Sequence, residues 1–124
     1  MELITLEYHE VIDKKVVSKE LQFSKELLQN PYNLNSLSVI KVEGESMQPM
    51  ILDGALVVVD ISQKQIEHSA IYILEHGDKM WIKRAHIEKN ETIFISINEA
   101  FKHLVYKEKE VRIIAKALLT FTNL

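Results

Sequence analysis

Two side chains of this 124-residue chain have types and a spacing that could support acyl transfer: the hydroxyl of Ser46 and the amine of Lys83, 37 residues further along. A serine hydroxyl is a weak nucleophile until a neighbouring base takes its proton. A lysine amine can be that base when burial lowers its pKa from about 10.4 toward 7 or 8. Ser46 and Lys83 are therefore the candidate catalytic residues, as nucleophile and general base.

The segment around Ser46 reads Val42-Glu43-Gly44-Glu45-Ser46-Met47-Gln48-Pro49. Residues 47–52 are predicted to form a short helix that ends at Asp53-Gly54, which would place Ser46 at the helix N-terminus. Backbone N–H groups there carry partial positive charge, so the amides near Ser46 and Met47 are candidates to stabilise an oxyanion. Gly44 would let backbone or substrate approach closely. Taken alone, such a serine is more typical of a helix cap.

Lys83 lies in a strand-like stretch that follows the break Glu75-His76-Gly77-Asp78, and the pattern predicts a β-hairpin. Because side chains alternate along a strand, Trp81 and Lys83 should share one face. Trp81 and Met47 would then help to remove the Lys83 amine from water. The competing interpretation is a lysine whose stem covers apolar surface while its ammonium stays solvated.

The elements that must position these residues are short β-branched runs separated by turns, which favour an all-β sandwich or barrel-like sheet. The predicted strands cover residues 38–42, 55–61, 70–75, 79–85, 92–97 and 111–121. Ahead of them, residues 1–18 are predicted to form a strand or extended arm with a charged turn at Asp13-Lys14-Lys15, and then a loop. Residues 24–29 are predicted to form a short helix closed by Asn30-Pro31.

Length and composition bound the class of protein. A chain of 124 residues and 14.4 kDa fits a single domain over residues 1–124, with an arm and short helix in 1–37 and a core in 38–121. The net charge of −3 and the scattered basic residues argue against a nucleic-acid-binding surface. The lack of cysteine excludes thiolate catalysis and disulfides, and it fits a reducing, cytoplasmic location.

Membrane and metal functions have no support in the sequence. No apolar run approaches the roughly 20 residues that a membrane helix needs. The five histidines are not paired with acids at metal-ligand spacing. We therefore expect no membrane association and no metal site.

The order and spacing of four segments resemble the C-terminal domain of LexA-type and phage-type repressors: residues 42–50 around Ser46, 53–60, 71–73 and Trp81-Ile82-Lys83-Arg84. The resemblance covers roughly residues 36–118. It implies a mainly β fold of curled antiparallel sheets with hairpins and one or two short helices. It also implies a Ser46–Lys83 dyad, oxyanion amides near Ser46 and Met47, a cleft beside Gly44, and neither cofactor nor metal.

The resemblance also implies a function. Members of the family cut their own chain at an Ala-Gly or Cys-Gly bond in the segment that joins this domain to a DNA-binding domain, and the cut inactivates the repressor. On that basis we expect a dimerising regulatory domain, supported by the apolar stretch 111–121. Operator DNA would be bound by a helix-turn-helix domain outside this chain, and a RecA-like filament could trigger cleavage in an SOS response.

Three alternatives stay open beside the repressor domain. A UmuD-like accessory subunit of a translesion DNA polymerase would have the same dyad without a DNA-binding domain. A dimerisation domain with an idle dyad is the second, and a signal-peptidase fragment is the third, although the latter would be expected to have a membrane segment. What precedes residue 1 in the gene would separate the first alternative from a repressor.

The sequence departs from the family pattern in three places. Its glycines, Gly44, Gly54 and Gly77, never follow alanine or cysteine, so the expected scissile dipeptide is missing and a truncated or non-cleaving member is favoured. Ala55 stands where the family often has an acidic residue. Ser96-Ile97-Asn98-Glu99 stands where Ser-Asp-Asn-Pro is more usual. These last two changes are expected to affect surface detail and not to touch the dyad.

Overall fold

The computed structural model describes residues 2–124, which form antiparallel β-structure with short 3-10 turns and no α-helix. Nine strands make up two sheets: β1 (Leu3–Ile12) and β2 (Lys15–Ser24) in one, and β3 (Leu37–Lys41), β4 (Leu56–Asp60), β5 (Ile71–His76), β6 (Lys79–Glu88), β7 (Glu91–Ile95), β8 (Tyr106–Lys107) and β9 (Arg112–Phe121) in the other. The larger sheet has the order β3-β4-β9-β5-β6-β7-β8. The predicted mainly β fold with hairpins is confirmed.

The N-terminal region differs from its prediction. Residues 3–24 form one long hairpin, so the loop predicted after the first strand is wrong, as is most of the helix at 24–29. The hairpin closes through Asp13 and Lys14, which have φ of 50° and 66°, as two-residue hairpin turns require. Only a 3-10 turn, Lys25–Leu27, follows it, capped by Ser24 Oγ, which accepts from the Glu26 N–H at 3.2 Å.

This hairpin is fixed against the larger sheet by one apolar face. Ile4 and Phe23 are buried in a cluster with Val39 and Val58, and the Phe23 ring lies 5.6 Å from the Phe121 ring. Full burial of a large apolar side chain contributes about 1.5–3 kcal/mol. At the border, the Glu10 carboxylate pairs with Lys19 at 2.7 Å and with Lys41 of β3 at 3.1 Å.

In the larger sheet the six predicted strands are all present, with ends that shift by a few residues. The β5–β6 hairpin turns at Gly77, whose φ of 63° suits glycine. β6 runs three residues beyond its predicted end, to Glu88, before the turn into β7.

The C-terminal strand β9 lies inside the sheet, hydrogen-bonded to β4 and to β5. Its end packs against the N-terminal hairpin through Leu119 and Phe121. β9 therefore has no free edge, so dimerisation cannot be argued from an exposed β9. Among residues 2–124 no helix is long and apolar enough to cross a membrane.

Candidate active site

The loop that carries Ser46 is a turn and not the predicted short helix. Its hydrogen bonds are the Gln48 N–H to the Glu45 carbonyl at 3.1 Å and the Ile51 N–H to the Met47 carbonyl at 3.0 Å, which is a single helical-type turn. Pro49 explains the failure, because it lacks an N–H and pushes the preceding residue away from helical dihedrals. The oxyanion argument from a helix N-terminus fails with the helix.

The loop is nevertheless rigidly anchored at its base. The Gly44 N–H donates to Asp53 Oδ1 at 2.8 Å, and the Gly54 N–H donates to the Val42 carbonyl at 2.8 Å. Gly44 has a φ of 102°, which a residue with a Cβ would adopt only with strain. Met47 projects into the apolar core and is only 1% exposed, so it anchors the serine loop from below.

Asn98 fastens the same loop from the other side. Its backbone N–H donates to the Ser46 carbonyl at 2.8 Å, and its side-chain Nδ2 donates to the Glu45 carbonyl at 2.9 Å. Its Oδ1 accepts from the Ala100 N–H at 3.0 Å at the start of the 3-10 turn Glu99–Phe101. The position of Ser46 therefore depends on two segments more than 40 residues apart in the chain.

Lys83 lies on β6 and is completely buried, with an exposed fraction of 0%. Its Nζ is 3.0 Å from Ser46 Oγ and 3.0 Å from Ser96 Oγ. The Nζ also lies 5.7 Å from the centroid of the Trp81 ring, as expected for two residues on one strand face. The structure thus brings Ser46 and Lys83 into hydrogen-bond contact, which the sequence alone could only suggest from their motifs.

Burial lowers the pKa of Lys83 to about 8, because an ammonium loses its hydration inside the protein. Within residues 2–124 no carboxylate forms an ion pair with it. A pKa near 8 leaves about a tenth of the amine neutral at pH 7, against roughly 0.03% for an ordinary lysine. Lys83 is therefore equipped to accept a proton near neutral pH.

Of the two remaining predicted site residues, Gly44 borders a cleft beside the serine, whereas Met47 lies in the core below it. The cleft has a volume of about 560 Å³, and its lining includes Gly44, Ser46, Ile82 and Phe101. The N–H groups of Ser46 and Met47 make no backbone hydrogen bond within residues 2–124. Neither N–H group is therefore committed to another backbone group in that range, so both remain candidate oxyanion donors. Met47 can contribute only its amide, because its side chain is buried.

The prediction that two departures from the family pattern concern surface detail is wrong. Ala55 is 0% exposed and belongs to the core cluster that contains Met47. Ser96 contacts Lys83, and Asn98 contacts the backbone of Ser46. Ser96 and Asn98 were not predicted as site residues from the sequence. The β6–β7 pairing could have located Ser96, since Arg84 pairs with Ile95 and the next opposed pair is Lys83 with Ser96.

Metal chemistry has no structural basis in the part of the chain that is described. No group of three histidine, aspartate or glutamate side chains in residues 2–124 is arranged to hold a metal ion. The two hydroxyls and one amine at the site are also poor ligands for a divalent cation compared with carboxylates and imidazoles.

The site thus combines a buried lysine amine, a serine hydroxyl 3.0 Å from it and a neighbouring cleft, all on a mainly β domain. The chain belongs to the Peptidase S24-like family, whose model matches residues 5–118. It is 30% identical over 118 residues to the 26 kDa repressor protein of Escherichia phage HK022, covering 93% of this chain and 50% of that protein. Over 99 residues it is 33% identical to repressor protein CI of Enterobacteria phage phi80, and the match covers 77% of this chain and 42% of that protein.

A third relative is an HTH-type transcriptional regulator of Haemophilus influenzae, 32% identical over 78 residues, which are 62% of this chain and 33% of that protein. The chain therefore spans about half the length, or less, of the curated relatives that it matches. The resemblance to phage-type repressors is confirmed at the level of the family.

Proposed function

We propose that this domain is the regulatory domain of a phage-type transcriptional repressor and a serine endopeptidase that uses Ser46 and Lys83. One observation carries the chemistry: a wholly buried lysine amine lies 3.0 Å from Ser46 Oγ, with its pKa lowered to about 8. An amine in this state takes a proton from a serine hydroxyl much more readily than a solvated lysine does.

The reaction proceeds in two halves. Neutral Lys83 accepts the proton of Ser46 Oγ as that oxygen attacks the carbonyl carbon of a peptide bond. The amides of Ser46 and Met47 donate to the developing oxyanion. When the C–N bond breaks, the Lys83 ammonium protonates the leaving amine and an acyl-serine remains. Water then attacks the carbonyl carbon of this ester as Lys83 takes a proton from the water. The bond from that carbon to Oγ breaks, the Lys83 ammonium returns the proton to Ser46 Oγ, and the new carboxyl end is released with no cofactor.

The substrate is a peptide segment held in the cleft next to Ser46. The cleft lining is mostly apolar, with Ile40, Val42, Trp81 and Leu104 among its members, and Glu43 and Lys79 also border it. A segment of the same protein would react in an effectively unimolecular step. Since no glycine of the chain follows an alanine or cysteine, the proposed target is a linking segment of the repressor outside these 124 residues.

The repressor context is supported by the relatives. Two are named as phage repressors and one as an HTH-type regulator, and each is about twice as long as this chain or longer. We propose that operator binding belongs to a helix-turn-helix domain in the other half of such a protein. This half would supply dimerisation, and the trigger for cleavage would act on it. The relatives favour this function over that of a polymerase accessory subunit.

Labelling of Ser46 tests the nucleophile without a known substrate. The chain is incubated with a fluorophosphonate between pH 6 and 10, and the modified residue and its rate of formation are read by mass spectrometry. We expect an adduct on Ser46 whose rate rises to a plateau with a midpoint near the Lys83 pKa of about 8. Ser46→Ala should abolish the adduct, and Lys83→Met should slow it at least about 100-fold.

Ser62 serves as the internal control, since its hydroxyl donates to Asp60 and forms no hydrogen bond with a lysine within residues 2–124. Equal labelling of Ser62 and Ser46, or labelling of Ser46 that survives Lys83→Met unchanged, would overturn the dyad.

A peptide that contains an Ala-Gly bond is then added in trans. Labelling without cleavage of any such peptide would point instead to a dimerisation domain with an idle dyad.

Dimerisation is tested separately by sedimentation equilibrium across a hundredfold range of concentration. We expect a mass that rises toward twice 14.4 kDa. A mass that stays monomeric throughout would remove dimerisation from the proposal while leaving the peptidase assignment intact.

A further inference from the structure

The Lys83 amine has a second partner that the dyad does not require. Ser96 Oγ lies 3.0 Å from Nζ, and Ser96 is only 7% exposed. It follows the last residue of β7, directly opposite Lys83 if the β6–β7 pairing is continued by one step. Two hydroxyls therefore contact one buried nitrogen, from two separate segments of the chain.

A neutral amine can act as a base only through its single lone pair, which must point at the proton to be removed. Rotation about the Cε–Nζ bond offers three staggered orientations, and only some of them aim the lone pair at Ser46. If one N–H donates to Ser96 Oγ, that rotation is restricted. The lone pair is then available on the side of Ser46 Oγ, which also lies 3.0 Å away.

We propose that Ser96 is a positioning residue that accepts a hydrogen bond from Lys83 and so orients its amine toward Ser46. This inference rests on the proposed function of the dyad. Ser96 takes no part in bond formation or proton transfer. It neither gains nor loses a proton while the Ser46 hydroxyl passes its proton to Lys83 Nζ. Once Lys83 is an ammonium, the same oxygen still accepts an N–H, so the charge formed in the interior retains a partner where no carboxylate is present.

If the role of Ser96 were only structural, the hydrogen bond would serve to satisfy its buried hydroxyl. The structural role and the positioning role predict opposite changes in the pKa of Lys83. In Ser96→Ala the ammonium loses an acceptor, so the pKa of Lys83 should fall further, while the misoriented amine lowers the plateau rate. A general loosening of the fold would let water reach Lys83, which would move its pKa in the opposite direction, toward 10.5.

The test uses the full 124-residue chain and two readouts. The first is the fluorophosphonate rate at Ser46 against pH. The second is the titration of Lys83 followed by NMR in protein that carries lysine labelled with ¹³C at Cε, assigned by its loss in Lys83→Met. For Ser96→Ala we expect a plateau rate lower by roughly 10- to 100-fold, the loss expected for one hydrogen bond. Both the kinetic and the NMR midpoints should move to lower pH.

Ser18→Ala is the matched control, because its exposed hydroxyl donates to Glu7 at 2.7 Å far from the dyad. It should leave rate and midpoints unchanged. Ser96→Thr keeps the hydroxyl and should recover at least part of the plateau rate and the wild-type midpoint.

The outcomes separate the inference from the proposed function. A Lys83 midpoint in Ser96→Ala that is unchanged or higher, while wild-type Ser46 is labelled normally, overturns the role of Ser96 and leaves the dyad standing. Absence of labelling in the wild type at every pH overturns the proposed function itself. In that case a lowered midpoint in Ser96→Ala would still establish the hydrogen bond, but it would no longer serve catalysis.

Discussion

Replacing Lys83 by methionine should make the protein more stable at neutral pH while it destroys the proposed activity. Methionine has an unbranched side chain of similar length, so it fills the space of the lysine stem without its charge. Alanine is a poorer choice, because Lys83 is 0% exposed and its removal would leave a cavity.

The size of the effect follows from linkage. The pKa of Lys83 is about 8 in the folded protein against an ordinary lysine value of 10.5, so the folded state holds the proton less tightly. At pH 5–7 Lys83 is protonated in both states and the folded protein carries a penalty of about 3 kcal/mol. Between pH 8 and 10.5 the unfolded chain binds more protons, so wild-type stability rises with pH. At pH 10 only about 1 kcal/mol of the penalty remains.

Methionine also loses the hydrogen bonds to Ser46 and Ser96, which costs about 1 kcal/mol each. That loss depends little on pH, whereas the charge penalty depends on it strongly. The stability advantage of Lys83→Met over the wild type should therefore be about 1 kcal/mol at pH 7. It should decrease by about 2 kcal/mol between pH 7 and pH 10, and its sign should reverse within that range.

Equilibrium unfolding in urea, followed by circular dichroism at pH 6, 7, 8, 9 and 10, measures this difference. Lys64→Met replaces an exposed lysine and is the control, whose difference from the wild type should not vary over the range. A Lys83→Met difference that stays flat from pH 7 to pH 10 would refute the burial of an uncompensated amine. A difference that grows with pH would mean that the folded state favours the ammonium.

Two further predictions concern the residues that hold the site and the sheet. Asn98→Ala removes the hydrogen bonds from its side chain to the Glu45 carbonyl and the Ala100 N–H. Labelling of Ser46 should therefore slow several-fold, and the urea midpoint should fall by an amount equivalent to about 1–2 kcal/mol. Unchanged labelling would contradict the role of Asn98 in holding the serine loop. Asp60 is 0% exposed and accepts from four donors. Burial raises its pKa, but these hydrogen bonds outweigh burial and lower it.

Asp60→Asn would turn an amide N–H₂ toward groups that donate, so we expect a loss of about 2–4 kcal/mol at pH 7. Because the folded-state pKa of Asp60 is lowered, its contribution is present above the ordinary carboxyl range and is lost as pH falls through the lowered value. The difference between wild type and Asp60→Asn in urea unfolding should therefore shrink at acidic pH. A difference independent of pH would contradict the inferred hydrogen-bonded carboxylate.

The strands could be predicted because their signals are local. Short β-branched and apolar runs mark β4, β5 and β9, and Gly77 marks a hairpin by its freedom to adopt positive φ. The turn at Asp13-Lys14-Lys15 was predicted, but the strand after it was missed, because Asp13 and Lys14 adopt positive φ without the glycine or asparagine that usually signals a two-residue hairpin turn. Helical propensity in residues 47–52 was overridden by Pro49 and by the contacts that anchor the loop.

The candidate site likewise has residues that the sequence predicts and residues that it does not. Ser46 and Lys83 are marked by the motifs around them, but nothing near either residue reveals that they are 3.0 Å apart. Ser96 and Asn98 were missed because their contacts depend on the register of β6 with β7 and on a loop more than 40 residues earlier. Such contacts are properties of the assembled sheet, and sequence reasoning reaches them only after strand pairing has been fixed.

The two buried lysines of this sheet show why hydroxyl partners suit a base. Lys116 is 8% exposed, and its Nζ forms an ion pair with the Glu67 carboxylate at 3.1 Å. Lys83 is buried more deeply, and within residues 2–124 its Nζ forms hydrogen bonds with the hydroxyls of Ser46 and Ser96 and no ion pair with a carboxylate. A hydroxyl accepts a hydrogen bond from an N–H without contributing negative charge. The free-energy cost of removing the ammonium from water is therefore not offset. The carboxylate at Lys116 supplies negative charge and the hydroxyls at Lys83 do not, so burial lowers the pKa of Lys83 to about 8, as its proposed role as a base requires.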